Sequence, residues 1–518
     1  MINNFFSGLI IALVIAGCSS QKASTAKKNI TQPNIIIIYT DDVGFGDISA
    51  NGATKIKTPA IDKIANEGLR FTNAYATSAT CTPSRFSLLT GKYAWRKQGT
   101  GVAPGDAALL IPTDIITMPK MLQNAGYTTG MVGKWHLGLG NPGGLNWNID
   151  IAPGPLEIGF NYSFIMPATG DRVPCVYMEN RRIVDLDPTD PIYLDYKKKI
   201  GNEPTGAENP ELLKMKYSHG HDNTIVNGVS RIGWMTGGKQ ARWIDEDMAD
   251  VLTGKALSFI EKNKNAPFFL YFATHDIHVP RLPHSRFLGK SGMGPRGDAI
   301  LQLDWTVSQV TQKLNELGIA DNTLLIFTSD NGPVIDDGYI DDAVEKLGGH
   351  TPSGIFRGGK YSSFEAGTRI PLLVKWPGKV TANTSTAAQF SQIDLFASFA
   401  ALAGQNLSEN TAPDSDNMIN VLLGKSLKGR DYIIQQSANN TLSVIKDGWK
   451  FIPPANGPAI SKYTNIELGN SSHAQLYDLT KDPGEKNNLA TENPAMVTKL
   501  AILLEKERAM GAENPSNH

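Results

Sequence analysis

The stretch Asn34-Ile35-Ile36-Ile37-Ile38-Tyr39-Thr40-Asp41-Asp42 decides the fold of this chain. Its first seven residues form an unbroken, mostly β-branched run, which is typical of a strand buried on both faces of a sheet. Three later runs share that character, at residues 128–132, 267–272 and 323–328. Helical patterns that stop close to a glycine lie between them, at residues 59–67, 117–124 and 304–317. Strands that alternate with helices predict an α/β fold with a large, mostly parallel sheet flanked by helices.

Composition and charge exclude some classes of function. The 518 residues are 41% hydrophobic and 19% charged, with a formal net charge of -1. A chain of that length has room for about two to four domains. The near-neutral charge gives no overall field for binding nucleic acid or an acidic membrane surface. An anionic substrate would therefore have to be held by a few local cations.

The N-terminus has the features of an export signal. The apolar segment Phe5 to Ala16 is too short to span a bilayer, and the small residues before Cys18 resemble a bacterial lipobox. This implies a signal peptide over residues 1–17, and a lipidated Cys18 with a flexible tether over residues 18–32. The first four residues lack the usual positive charge, so a plain cleaved signal is the alternative. We expect an exported chain that contacts a bacterial membrane only through its lipid, facing the periplasm or the cell surface, or else a soluble periplasmic chain.

Two domains are expected after the tether. Residues 33–410 carry the alternating strands and helices and would form the catalytic domain. Within them, residues 140–240 are rich in Gly, Pro and Asn, and form either insertions that shape a pocket or a subdomain. Residues 431–445 are typical of two strands joined by a hairpin turn, and a helical run spans residues 494–510. We therefore expect residues 411–518 to form a smaller antiparallel α+β subdomain.

Each buried strand is followed by polar residues. The four segments are Asp41-Asp42, Lys134-Trp135-His136, Thr274-His275-Asp276-Ile277-His278 and Asp330-Asn331. Ligands bind at the carboxyl ends of parallel strands, so these segments should meet at one edge of the sheet. Any one pair alone is more often a turn or a helix cap. Together, the oxygen donors of the first and last segments favour Ca²⁺ or Mg²⁺ over zinc.

A cysteine begins the motif Cys81-Thr82-Pro83-Ser84-Arg85. Pro83 suits the first turn of a helix and Gly91 suits its end. Cys81 would then lie at a helix N-terminus, where the dipole favours a thiolate or a bound oxyanion. The three cysteines, at 18, 81 and 175, allow at most one disulfide if Cys18 carries lipid. Without further evidence, a lone cysteine before a helix is more often an inert residue that packs like a small apolar side chain.

The cysteine motif, with Leu89-Thr90-Gly91 behind it, resembles the signature of the type I sulfatases, in the alkaline-phosphatase-like superfamily. Segments along residues 33–490 match other motifs of that family, and no motif position departs from its pattern. These segments are Asn34 to Gly46, Gly133-Lys134-Trp135-His136-Leu137-Gly138, His278-Val279-Pro280, Ser329-Asp330-Asn331-Gly332, Arg357-Gly358-Gly359-Lys360 and Glu365 to Pro371.

The resemblance implies a mechanism. A formylglycine-generating maturation enzyme oxidises Cys81 to formylglycine (3-oxoalanine), and a hydroxyl of its hydrate attacks sulfur. His278 with Lys360 protonates the leaving alkoxide, and His136 takes a proton from the second hydroxyl to expel sulfate. The implied catalytic residues are Cys81, Arg85, Lys134, His136, His278 and Lys360. The implied metal ligands are Asp41, Asp42, Cys81, Asp330 and Asn331. Two-metal relatives have His where this chain has Asn331, so one ion is expected, and the family implies Ca²⁺ rather than Mg²⁺.

Substrate and alternative functions are less tightly constrained. The segment from Thr169 to Pro174 resembles sulfatases that act on 6-sulfated galactose or N-acetylgalactosamine. Asp171, Arg172 and His275 are the candidate substrate-binding residues, and His219 or His221 could also reach a sugar hydroxyl, although each could equally be an ordinary loop residue. We expect a sulfated saccharide from glycosaminoglycan, mucin, ulvan, carrageenan or porphyran. Two alternatives stay open: a phosphatase or phosphodiesterase of the same superfamily, and a non-catalytic lipoprotein that binds sulfated glycans.

Overall fold

The computed structural model describes residues 1–2 and 32–510. Apart from Met1, Ile2 and Gln32, the residues assigned to the signal peptide, to lipidated Cys18 and to the tether lie outside the described residues. Residues 32–510 lie in one compact unit, and the expected boundary between residues 410 and 411 stays a prediction. Within the described part, no helix combines the length and the apolar character needed to cross a membrane.

The strands and helices of residues 32–510 have the following bounds. The strands are β1 (Asn34–Thr40), β2 (Leu69–Phe71), β3 (Ala74–Tyr75), β4 (Thr128–Lys134), β5 (Tyr162–Met166), β6 (Met178–Glu179), β7 (Arg182–Ile183), β8 (Tyr193–Asp195), β9 (Ile225–Val226), β10 (Val229–Ser230), β11 (Trp234–Thr236), β12 (Phe268–Ala273), β13 (Thr323–Ser329), β14 (Leu372–Lys375), β15 (Thr384–Thr386), β16 (Phe390–Ser391), β17 (Tyr432–Gln436), β18 (Leu442–Lys446), β19 (Trp449–Ile452) and β20 (Gln475–Asp478). The α-helices are α1 (Pro59–Asn66), α2 (Cys81–Thr90), α3 (Met118–Asn124), α4 (Met248–Asn263), α5 (Gly294–Glu316), α6 (Leu395–Leu402), α7 (Ile419–Leu422) and α8 (Pro494–Ala509).

Strand β1 lies inside a ten-stranded sheet, which confirms the expected α/β fold. Strands β13, β1, β12, β4 and β5 are neighbours in that order and run parallel. Every residue of β1 is buried, as its continuous apolar run predicts. The sheet is extended by antiparallel strands, β14 and β2 on one side and β6 and β7 on the other. The parallel strands at the centre of the sheet therefore bring the carboxyl ends of β1, β4, β12 and β13 to one edge.

Helix α5 departs most from its expected bounds. It begins at Gly294, ten residues before the expected start at Asp304. Its first turn is buried through polar contacts: Arg296 bonds to Asp47, and Asp298 accepts hydrogen bonds from two backbone N–H groups. Apolar burial begins only with Ala299 and Ile300. Hydrophobic periodicity does not mark this first turn, because the large buried side chains there, Arg296 and Asp298, are charged.

The C-terminal region contains the expected antiparallel sheet. Strands β17, β18, β19 and β20 pair in sequence order, and the hairpin turn between β17 and β18 contains Asn440 with φ 64°. Leu500 and Leu504 of α8 share a small hydrophobic core with Val444 and Phe451 of that sheet. Between residues 140 and 240 the chain forms short strands and loops, of which β5 to β7 extend the main sheet.

Candidate active site

The polar residues after the parallel strands meet, as the topology requires. Side-chain oxygens of Asp41, Asp42 and Asp330 lie within 4.8 Å of one another. Asn331 joins them, because its Nδ2 donates to Asp42 Oδ1 at 2.8 Å. All four side chains are fully buried. The four predicted oxygen ligands therefore form one cluster.

This cluster has the chemistry of a cation site. Asp41 Oδ1 and Asn331 Oδ1 are buried and have no hydrogen-bond partner among the described residues. Burial and the charge of Asp330 raise the pKa of Asp41 to about 8, and burial also raises the pKa of Asp42. These carboxylates need additional positive charge to stay ionised. Hard oxygen donors of this kind fit a divalent cation, so the residues present suit the ion that the sequence implies.

Three buried cations already contact these carboxylates. Lys134 Nζ donates to Asp41, Arg85 Nη2 donates to Asp330 at 2.7 Å, and Lys360 Nζ donates to Asp42 at 2.9 Å. Burial opposes ionisation of Asp330, but Arg85 and Lys134 outweigh it and lower the pKa of that carboxyl. The three cations are thus held in fixed positions at the edge of the sheet.

Asp337 is a site residue that the sequence reasoning missed. Its Oδ2 accepts from Lys360 Nζ at 2.9 Å, and its Oδ1 accepts from the Tyr361 hydroxyl at 2.9 Å. Burial would lower the pKa of Lys360, but Asp337 and Asp42 together raise it well above its ordinary range. Lys360 is therefore an ammonium group at neutral pH. Asp337 lies in a loop without periodicity or motif, so only its contact with Lys360 identifies it.

Cys81 begins helix α2, as expected, and Gly91 ends that helix with φ 63°. Among the described residues, the thiols of Cys81 and Cys175 are both buried and form no disulfide. The expectation that the helix start favours a thiolate does not hold for the unmodified residue. Burial raises the pKa of the Cys81 thiol, and Lys134 and Lys360 offset this only in part. Cys81 is thus poorly suited to act as a thiolate, which agrees with its predicted role as the precursor of formylglycine.

Hydrogen bonds assign a tautomer to two of the predicted histidines. His136 Nε2 lies 2.9 Å from the carbonyl oxygen of Ala103, so it carries the proton, and the buried Nδ1 has no partner among the described residues. His278 Nδ1 lies 2.6 Å from the carbonyl of Val279, which leaves Nε2 toward the site, 3.8 Å from Asp42 Oδ2. Burial, with nearby lysines, lowers the pKa of both rings well below the ordinary value. Each ring is neutral and presents one free nitrogen.

Two site residues have backbone angles that L-amino acids rarely adopt. Asp42 has φ 60° and His136 has φ 53°, both in the left-handed region. Such conformations cost on the order of 1–3 kcal/mol each and are concentrated at functional sites. Here they turn the chain sharply just after β1 and β4, which directs both side chains into the site.

The candidate sugar-binding residues lie beside this centre. Asp171 Oδ2 is 3.1 Å from His221 Nε2, and Arg172 Nη1 donates to Asp171 Oδ1 at 3.0 Å. Burial opposes ionisation of Asp171, but Arg172 and His221 outweigh it and lower the pKa well below its usual range. Arg172 is close enough to His136 to help lower the pKa of that ring. The charge of Asp171 has the opposite effect on His278, because it raises the pKa of that ring.

His275 and His219 differ in position. Burial lowers the pKa of His275 to about 4, and its ring lies against Gly170, where an added Cβ would come within 2.5 Å of it. His275 Nε2 or Nδ1, Asp41 and His278 also form one group of closely spaced ligand atoms. His219 lies farther out, stacked on Tyr463 with ring centres 4.4 Å apart.

The sheet edge and its buried oxygen cluster have the features of a hydrolase of anionic esters, because they offer ligands that could hold a cation, fixed positive charges and neutral proton-transfer groups together. Comparisons with known proteins specify the class further. The model of the Sulfatase family matches residues 33–405. The N-acetylgalactosamine-6-O-sulfatase of Bacteroides thetaiotaomicron is 58% identical over 492 residues, which are 95% of this chain and 96% of that protein. Human arylsulfatase A is 31% identical, over 88% of this chain and 83% of that protein.

The chain belongs to the sulfatase family, which confirms the resemblance drawn from its motifs, and it is a sulfuric ester hydrolase. Its fold agrees with this. A solved structure described under the metabolism of multiple glycosaminoglycans by Bacteroides thetaiotaomicron superposes with a TM-score of 0.91 and 59% sequence identity, covering 92% of this chain and 100% of that one. The phosphatase and the non-catalytic alternatives are therefore disfavoured.

Proposed function

We propose that this chain removes the 6-O-sulfate from galactose or N-acetylgalactosamine residues of a glycosaminoglycan-type carbohydrate. The 58% identity to an N-acetylgalactosamine-6-O-sulfatase supports this substrate. So does the placement of Asp171, which is ionised and lies close to His278. A buried carboxylate of this kind accepts hydrogen bonds from sugar hydroxyls, and Arg172 beside it donates them.

Cys81, oxidised to formylglycine by the maturation enzyme, supplies the hydroxyl that attacks sulfur. Arg85, Lys134 and Lys360 would stabilise the negative charge that develops on the sulfuryl oxygens. Their buried contacts with Asp330, Asp41 and Asp42 hold these cations in position before substrate arrives. They therefore need little reorganisation during the reaction.

Asp41, Asp42, Asp330 and Asn331 would hold one divalent cation together with the modified side chain of residue 81. We propose Ca²⁺, because flexible coordination by several carboxylate and amide oxygens suits this ion better than Mg²⁺. The bound ion would supply positive charge next to the sulfate group. This assignment explains the two buried oxygens, on Asp41 and Asn331, that have no hydrogen-bond partner within residues 1–2 and 32–510.

Two proton transfers follow from the histidine tautomers. His278 Nε2 faces the site but carries no proton in the neutral ring, so the proton for the departing sugar oxygen would come from the ammonium of Lys360, directly or relayed through Nε2. His136 Nδ1 would then take the proton from the second hydroxyl of residue 81, so that the bond to sulfate breaks and the aldehyde is restored. The observation that carries this proposal is the buried Nδ1 of His136, an acceptor that has no hydrogen-bond partner in the described part of the chain.

We also propose the chain's cellular setting and organisation. The export signal, the lipid on Cys18 and the tether would place residues 33–410, as the catalytic domain, at a bacterial membrane surface. Residues 411–518 would pack against that domain as the α+β subdomain. Radiolabelled fatty acid supplied to the native host tests the anchor, and label that is lost in a Cys18→Ala variant supports it.

The function is tested by release of inorganic sulfate from 6-O-sulfated N-acetylgalactosamine, with the 4-O-sulfated isomer and an aryl phosphate as controls. We expect selective release from the 6-O-sulfate. Equal rates on both isomers would contradict the substrate, and faster phosphate release would contradict the reaction. Mass spectrometry of the peptide that contains residue 81 tests the nucleophile, because formylglycine lacks one sulfur and two hydrogens of cysteine and gains one oxygen.

A further inference from the structure

A cavity lies beside the reacting groups, and the proposed reaction does not use it. Its volume is about 370 Å³, within the range of pockets that bind small molecules, roughly 300–1,000 Å³. Four parts of the chain line it: His219, the pair Asp337 and Tyr361, the turn between β17 and β18 with Asn439, and the segment between β19 and β20. A cavity assembled from segments this far apart in the chain is a product of the tertiary fold.

This cavity adjoins the catalytic residues on two sides. Asp337, which lines it, also accepts the hydrogen bond from Lys360 at 2.9 Å. His219, which also lines it, has its ring centre 6.0 Å from that of His221, and His221 contacts Asp171 at 3.1 Å. A molecule in the cavity would therefore lie directly next to a sugar held by Asp171.

The lining combines an aromatic wall with amide groups. Tyr463 is 55% exposed, and His219 stacks on it at an interplanar angle of 14°, which holds the tyrosine ring in one orientation. Asn439 Nδ2 donates to Asn470 Oδ1 at 2.7 Å on another part of the lining. Aromatic rings contact the C–H faces of a sugar, and amides both donate to and accept from its hydroxyls.

We propose that this cavity is a subsite for the sugar residue joined by a glycosidic bond to the sulfated one. The proposal rests on the function proposed above. With such a subsite, the enzyme prefers an oligosaccharide to a free sulfated monosaccharide. Tyr463 supplies the contact surface for the neighbouring ring, and the asparagine amides bond to its hydroxyls.

The test compares kcat/KM for 6-O-sulfated N-acetylgalactosamine with kcat/KM for two disaccharides that contain it, with a neutral hexose attached at the anomeric carbon or at O3. We expect the wild type to prefer one disaccharide by about tenfold or more, and Tyr463→Ala to reduce that ratio by about tenfold. Tyr463→Phe keeps the ring and should keep most of the preference. Tyr193→Ala is the matched control, since Tyr193 is 57% exposed but lines a different cleft.

The outcomes separate the subsite from the proposed function. A wild type without preference for either disaccharide would overturn the subsite, and so would equal changes in the ratio for Tyr463→Ala and Tyr193→Ala. If no sulfate is released from any of the three, the proposed function fails instead. Calorimetric titration of the full-length Cys81→Ala chain then decides the subsite: the preferred disaccharide must bind more tightly than the monosaccharide, and Tyr463→Ala must remove the difference.

Discussion

Replacing Asp47 with asparagine tests how the turn after β1 is held in place. Arg296 bonds to both carboxylate oxygens of Asp47 at 2.8 and 2.7 Å, and His350 Nε2 lies 2.8 Å from one of them. The same carboxylate accepts from the backbone N–H of Gly44, two residues after Asp42. Asp47 and Arg296 are both buried, at 0% and 1% exposure. Asp47→Asn removes the counter-charge from a buried guanidinium.

The expected loss of stability is several kcal/mol. Burial would raise the pKa of Asp47, but Arg296 and His350 outweigh it and lower the pKa from 3.8 to about 2. At 1.36 kcal/mol per pKa unit, this corresponds to about 2–3 kcal/mol. Leaving Arg296 buried without its partner costs about 3–5 kcal/mol in comparable cases. The entropy of unfolding of a chain of this length is about 1 kcal/mol/K. Dividing the lost free energy by this entropy gives a fall in Tm of about 3–5 °C.

Thermal unfolding at pH 7, followed by circular dichroism, measures the effect. The matched control is Asp150→Asn, because its ion pair with Arg182 is 57% and 80% exposed and should contribute less than about 1 kcal/mol. Because the folded-state pKa of Asp47 is depressed, its stabilisation is complete above pH ~4 and disappears as the pH falls toward 2. An unchanged or higher Tm for Asp47→Asn, or a loss equal to that of the control, would refute the reasoning.

Four further outcomes are expected. Cys81→Ala should abolish sulfate release yet lower unfolding free energy by only about 1 kcal/mol, since one buried sulfur is lost; residual turnover would contradict its role. Removing the cation with a chelator should stop turnover and lower Tm by about 3 °C, because a cation present at ~100 times its Kd contributes about 2.7 kcal/mol. Added Ca²⁺ should restore turnover and Tm better than added Mg²⁺. Asp337→Asn should reduce kcat about tenfold by loosening Lys360, whereas Tyr361→Phe should cost less; the reverse order would refute this. Arg172→Ala should raise KM about tenfold with a smaller change in kcat, measured by steady-state sulfate release.

Much of the site could be predicted because it follows from local chain properties. The apolar run of β1 and the polar residues behind each parallel strand are both visible in sequence, and parallel topology alone brings those strand ends together. Cys81 was identified by its motif, and helix α2 begins and ends where Pro83 and Gly91 indicate.

Other features depended on contacts between residues far apart in the chain. Asp337 matters because it meets Lys360, 23 positions away. The start of α5 depends on Arg296 meeting Asp47, 249 positions away. No periodicity encodes such pairs, because their stabilisation is electrostatic and arises only when folding buries both partners.

The amino-acid sequence by itself determined the α/β sheet, the oxygen cluster of Asp41, Asp42, Asp330 and Asn331, and the position of Cys81, because each depends on local pattern and strand order. Only the tertiary structure decided which nitrogen of His136 carries the proton. It alone also placed the loop after β19 so that it closes a cavity beside Asp337. Those properties arise from hydrogen bonds and packing between distant segments, which exist only once the chain has folded.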